Sequence, residues 1–143
     1  MVYRFLENEA VADVAFIASG KTMENAFESA AAAMTETMVR NIEGIKPETT
    51  RKFRIKAKTP EILLLKFLEK LIFLKDRNRL VFWRIKTVIT NKKRVWSLEC
   101  KAEGEEISTE RHEFGVDVKA VTMHGLSIKH AGGKWTCKVV LDI

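Results

Sequence analysis

Along residues 1–40 the spacing of apolar positions changes once, from every second residue to every third or fourth. Tyr3 to Leu6 and Val11 to Ala18 read as strands, the second closing at Gly20. From Thr22 onward the rhythm is helical. Met23, Ala26, Phe27, Ala30, Ala31, Met34 and Met38 form one stripe on a predicted helix of about 17 residues. Thr22 is placed to cap its first turn, and Glu24 suits the positive end of the helix dipole. A stripe of this kind packs on a sheet; the alternative, an adaptable Met-lined groove, requires that face to stay uncovered.

Lys52, Arg54, Lys56 and Lys58 then alternate with Phe53, Ile55 and Ala57, the pattern of a strand with one face in water. Thr59-Pro60-Glu61 supplies an N-cap, a proline at the first helical position and a first-turn acid, which opens a second helix running to about Leu74. Its apolar positions Ile62, Leu63, Leu64, Leu65, Phe67, Leu68, Leu71, Ile72 and Leu74 exceed one stripe, so this helix must be buried on more than one side. From Leu80 the period returns to two. Strands are predicted near 80–90, 94–103, 105–110, 114–122, 124–130 and 134–142, with turns at Asn91-Lys92, Gly104 and Gly132-Gly133. The implied class is α+β: a single domain over residues 1–143 with a mostly antiparallel β-sheet packed with two α-helices.

A chain of 143 residues, 46% hydrophobic and 31% charged, is too apolar for intrinsic disorder and long enough for one core that needs no disulfide or structural metal. No apolar run approaches the roughly 18–20 residues that cross a bilayer, and no signal-peptide pattern precedes the first strand, so the expected location is the cytoplasm. Cys100 and Cys137 fall in strand-like runs without C-x-x-C or zinc spacing and are expected to be buried free thiols. The net charge of +6 is uneven: −4 over 1–45, +12 over 46–101 and −2 over 102–143. The basic middle is either a face for an acidic partner or nucleic acid, or a set of solvated faces. The alternation around Lys52 to Lys58 favours the solvated reading, and the segment lacks the aromatic pattern of a known RNA-binding module.

Catalytic motifs are missing: there is no G-x-S-x-G, P-loop or H-E-x-x-H, so a self-sufficient enzyme is not expected. His112, His124 and His130 lack metal-ligand spacing, although the last two would share one face of a regular strand. The acids carry more information. Asp13 interrupts the apolar run 11–17, and Asp142 follows Val139-Val140-Leu141. A carboxylate in such a run needs a cation, a metal or several donors. Ile143 adds oxygen next to Asp142, and together these groups would favour a hard divalent ion such as Ca²⁺ or Mg²⁺; equally, either aspartate pairs with a lysine such as Lys119 or caps a strand end. Lys119 is itself a lone charge in an apolar stretch, which by itself reads as a snorkelling or edge-guarding lysine.

Four blocks of this chain resemble the archease family. They are Phe5-Leu6-Glu7 with Ala12-Asp13-Val14 and Gly20-Lys21-Thr22-Met23-Glu24-Asn25-Ala26-Phe27; Glu61 to Leu68 through Phe73-Leu74-Lys75-Asp76; Val118-Lys119-Ala120-Val121-Thr122-Met123-His124; and Trp135 with Val139-Val140-Leu141-Asp142-Ile143. The resemblance implies an accessory factor of the RtcB-type RNA ligase in transfer-RNA splicing. Such a factor promotes guanylylation of the ligase histidine and multiple turnover, and is not an enzyme itself. It implies a metal site at Asp13, Asp142 and Ile143, with Ca²⁺ expected ahead of Mg²⁺ or Mn²⁺, and an activating cluster of Asp13, Lys119 and Asp142. GTP is then used by the ligase rather than bound by this chain alone, and transfer RNA is reached through the ligase.

Two departures stand out. Many family members carry Glu-His-Thr-Ala-Asp near the start, whereas Glu7-Asn8-Glu9-Ala10-Val11-Ala12-Asp13 is longer and lacks the histidine. Met123 stands where an aromatic residue is common, and either is expected to fill apolar volume. A rival reading is a stand-alone RNA-binding or protein-chaperone module that uses the basic 46–101 segment. A metal-dependent hydrolase has less support, since two carboxylates and a lysine come without a general base.

Overall fold

A computed structural model describes residues 1–7 and 13–143. Among them, eight strands and two helices follow in the order β1 (Val2–Leu6), β2 (Asp13–Gly20), α1 (Met23–Met38), β3 (Thr49–Ala57), α2 (Pro60–Asn78), β4 (Leu80–Lys92), β5 (Val95–Glu106), β6 (Ala120–Val121), β7 (Ser127–Ala131) and β8 (Lys134–Asp142). All strand pairs are antiparallel. One sheet has the order β1-β2-β8-β6 with β7 also on β8, and the other is β3-β5-β4. The predicted start of β2 at Val11 lies outside the described residues.

Both helices begin as their sequences require. The Thr22 hydroxyl accepts from the Asn25 N–H at 3.0 Å, and the Thr59 hydroxyl accepts from the Ile62 N–H at 3.2 Å ahead of Pro60. All seven stripe residues of α1 are buried, so the methionines are core and not a groove. The run of Ala30 to Ala33 keeps the helix surface thin where it contacts β2 and β8 of one sheet and β4 of the other. Phe27 and Phe67 stack at 6.0 Å and join the two helices. α2 outlasts its apolar pattern by a turn, because a polar last turn containing Lys75 and Arg77 continues to Asn78 before Arg79 stops it at φ 57°.

The second half of the chain differs from the alternation-based expectation in four places. The β4–β5 turn is Lys93-Arg94, both at positive φ (51° and 64°), not Asn91-Lys92. Gly104 is not a turn but a strand position: β4 bulges between Phe82 and Arg84, and a Cβ on Gly104 would sit 1.8 Å from the Val81 carbonyl oxygen. The separate strands predicted at 105–110 and from 114 do not form: Glu105 and Glu106 end β5, residues 107–119 belong to no strand of either sheet, and β6 is only two residues long. Their backbone groups bond to the end of α1 instead: Arg40 N–H donates to Glu113 O, and Gly115 and Val116 N–H donate to Met38 O and Thr37 O, all at 2.8–2.9 Å. β7 begins at Ser127, so His124 lies in the β6–β7 connection and does not share a strand face with His130. The Gly132-Gly133 hairpin turn is where the sequence placed it.

Both cysteines are buried and unpaired, and burial pushes each thiol up to about 12, which leaves them unreactive. Among the described residues, no helix is long and apolar enough to cross a membrane.

Candidate functional site

The pairing of β2 with β8 decides where the two isolated aspartates go. Val14, Phe16 and Ala18 oppose Leu141, Val139 and Cys137 on the face turned toward α1. The opposite parity therefore carries Asp13, and its partner in register is Asp142. Two carboxylates separated by 129 positions in sequence thus stand directly across one ladder, where Cβ atoms are about 4.5–5.5 Å apart. Asp142 also pairs with Ala120 on its other side, so the row runs Asp13, Asp142, Ala120 across three strands. Both aspartates are half-buried.

Like charges directly opposite one another are destabilising. No cationic side chain of the described residues lies within 4.0 Å of either carboxylate. The pair therefore fits a hard divalent cation by donor chemistry and by its uncompensated charge. Among the described residues no third Asp, Glu, His or Cys joins it, and the main-chain oxygens of Ile143 follow Asp142 directly.

Lys119 is brought to the same corner. Its N–H donates to the Asp142 carbonyl at 2.8 Å, and its side chain is exposed. The position is fixed from below by Lys75 of α2. The Lys75 ammonium, 7% exposed, donates to Asp117 Oδ1 at 2.6 Å and Val118 O at 2.9 Å and pairs with Asp76 at 2.6 Å. Burial opposes its charge, but the hydrogen bonds to Asp117 and Asp76 outweigh it and hold the ammonium above its ordinary pKa. Thr122, two residues beyond Ala120, donates its N–H to Val140 O at 2.9 Å and continues the ladder.

The remaining sequence candidates go elsewhere. His130 stacks on Trp135 at 4.1 Å, and Met123 is 55% exposed and fills no apolar volume. His112 belongs to a buried network that sequence reading missed. Glu105, 2% exposed, accepts from the Arg111 guanidinium, the Lys46 N–H at 2.6 Å and His112 Nε2 at 3.0 Å. His112 Nδ1 accepts from the Ser108 N–H at 2.9 Å, which places the ring proton on Nε2. Burial raises the Glu105 carboxyl, but the three donors overcome it and hold the pKa near 2. Every ligand of this carboxylate is already a protein group, so the cluster is structural: it ties Arg111 and His112 of the 107–119 segment to the end of β5.

The archease protein family matches residues 3–143. The protein archease of Methanosarcina mazei is 34% identical over 142 residues, spanning 99% of this chain and 95% of that one. That of Thermococcus kodakarensis is 35% identical over 136 residues, spanning 94% and 95%. The solution structure of protein 1598 from Methanobacterium thermoautotrophicum superposes with a TM-score of 0.86 at 33% identity, covering 99% of this chain and 98% of that one. A crystal structure from Thermotoga maritima, described as an archease and possible chaperone, superposes at 0.61 with 22% identity, covering 96% of each, and bears on the fold alone.

Proposed function

The chain belongs to the archease family, and from that premise we propose that it is an accessory activator of an RtcB-type RNA ligase, acting through the Asp13/Asp142 pair. The observation that carries this reading is the register that sets two uncompensated carboxylates face to face beside Lys119. A protein surface keeps such a pair at a cost in stability, and a divalent ion shared with a partner's nucleotide site gives the cost a purpose. Asp13, Asp142 and a main-chain oxygen of Ile143 would hold such an ion, Ca²⁺ ahead of Mg²⁺ or Mn²⁺. Bound there, it would supply positive charge against phosphate oxygens during guanylylation of the ligase histidine.

This chain's own groups do the positioning. The β2–β8–β6 ladder fixes the carboxylates on rigid strands rather than on a loop, as accurate placement at a partner's site demands. Lys119, anchored through Asp142 O and Lys75, presents a cation at the same edge, where it meets an anionic group of the ligase or its nucleotide. GTP and transfer RNA are the ligase's ligands in this account, and this chain performs no bond-making step.

The direct test is formation of the ligase–GMP adduct from radiolabelled GTP, with and without this protein. Wild type is expected to raise the initial rate of adduct formation at least tenfold under conditions where ligase alone stalls, equivalent to about 1.4 kcal/mol of barrier. Lys119→Ala is expected to retain the fold and lose most of the gain. Equal adduct with and without wild-type protein contradicts the reading.

A further inference from the structure

The three-stranded sheet β3-β5-β4 turns one face to the helices and the other to solvent. Leu98, Cys100 and Ala102 face inward with Phe53 and Ile55. The outward parity falls in rows set by the register. In one row Lys52 opposes Lys101, and Lys101 opposes Lys86. Three ammonium groups therefore stand side by side over about 10 Å, the width of two strand spacings. Arg54 and Lys56 continue the positive charge along β3, Arg84 and Lys92 along β4, and Lys93 and Arg94 at the hairpin turn. Two acids share the face: Glu99 pairs with Arg54, and Glu103 lies 3.9 Å from Lys101. Among the described residues, Lys52 and Lys86 have no acidic partner within 4.0 Å. Two shallow grooves, of about 450 and 430 Å³, lie on this surface and share Arg54, Val88 and Glu99.

A merely solvated strand face has no reason to align like charges directly across three strands, an arrangement that costs stability. The alternation of Lys and Arg with apolar residues accounts for exposure, but the cross-strand row is a property of register, which the sequence does not display. We infer that the outer face of β3-β5-β4 is a docking surface for the phosphate backbone of RNA, engaged without base recognition. RNA fits better than an acidic protein, because the lysine row and the arginines two residues along from it, Arg54 on β3 and Arg84 on β4, about 7 Å away, present spaced positive charges to a regularly repeating anion. The named rows carry no aromatic side chain, so stacking readout is not expected and binding is sequence-tolerant. The inference does not depend on the ligase: it concerns a different sheet and predicts binding in the ligase's absence.

The test is fluorescence anisotropy of a labelled single-stranded RNA oligonucleotide with this protein alone. With about four or five phosphate contacts, log affinity should fall against log salt with a slope of about −3, a loss of about 60-fold between 50 and 200 mM. The combined variant Lys52→Thr, Lys86→Thr, Lys101→Thr should flatten the slope to about −1 and weaken low-salt binding at least tenfold. Its melting temperature should equal or exceed that of wild type, because the row's repulsion is gone. Should the triple variant not fold, each single variant must reduce the slope by about 0.7. Lys129→Thr with Lys134→Thr, on the β7–β8 hairpin, should leave binding unchanged. The inference is overturned if wild type shows no binding at 50 mM salt, if the hairpin variant loses as much as the row variant, or if the row variant binds RNA normally and instead loses affinity for an acidic protein partner.

Discussion

Glu105→Ala is expected to cost about 3 kcal/mol of unfolding free energy, measured as a lowered urea midpoint at unchanged m-value. Removing one partner of a buried ion pair costs about 3–5 kcal/mol, and the lower end applies because Arg111 is partly exposed and can turn its charge to water. What is left without a partner is the Lys46 N–H and the Nε2–H of His112, whose side chain is fully buried. The pH dependence follows from the same contacts. The folded-state pKa of Glu105 lies near 2, below its ordinary 4.5, so its stabilisation is fully present above pH 4.5 and is lost as pH falls toward 2. Wild type should therefore lose stability across that window, and Glu105→Gln should lose less over it. A change under 1 kcal/mol with an unaltered acid profile would show that the network does not hold the 107–119 segment.

The aspartate pair gives the second large effect, and its sign reverses with metal. In EDTA, Asp13→Asn and Asp142→Asn are expected to leave the melting temperature unchanged or slightly raised, because each removes a like-charge repulsion across the ladder. With Ca²⁺ at about a hundredfold over its dissociation constant, wild type should gain about 2.7 kcal/mol, or about 5–10 °C, while neither variant gains. Mg²⁺ and Mn²⁺ in parallel rank the ions. An equal Ca²⁺ shift in wild type and both variants places any metal elsewhere, and a destabilised variant in EDTA makes the aspartates structural.

Local patterns exposed much of this fold. The Met and Ala stripe, the Thr59-Pro60 helix start and the glycine-pair hairpin are each determined by neighbours within a few residues, and all appear as read. The failures share one cause. Residues 107–119 carry some alternation, yet Glu113, Gly115 and Val116 bond to the backbone at the end of α1 and Ile107 to Arg79, all far away in sequence, so period two did not mean strand. Gly104 resembles a turn glycine in sequence but serves a close approach between β4 and β5.

The site divides the same way. Asp13 and Asp142 were conspicuous because each breaks an apolar run, and the β2–β8 register brings them together. Glu105 gave no such signal: it follows a predicted turn at Gly104 and opens a predicted strand over 105–110, and its burial comes with the bulge in β4 and the contacts of Arg111 and His112. The lysine row was likewise hidden, because Lys52, Lys86 and Lys101 are unremarkable until register aligns them. Met123, expected to fill apolar space, is exposed because β6 ends at Val121 and the chain turns outward.

The measurement closest to the central claim is multiple-turnover RNA ligation by the cognate RtcB-type ligase with GTP and divalent metal. It compares no added protein, wild type, Asp13→Ala and Asp142→Ala, each checked for folding by circular dichroism. The account predicts many turnovers with wild type and no more than the ligase alone with either folded aspartate variant. Full stimulation by both variants, or none by wild type, would contradict it.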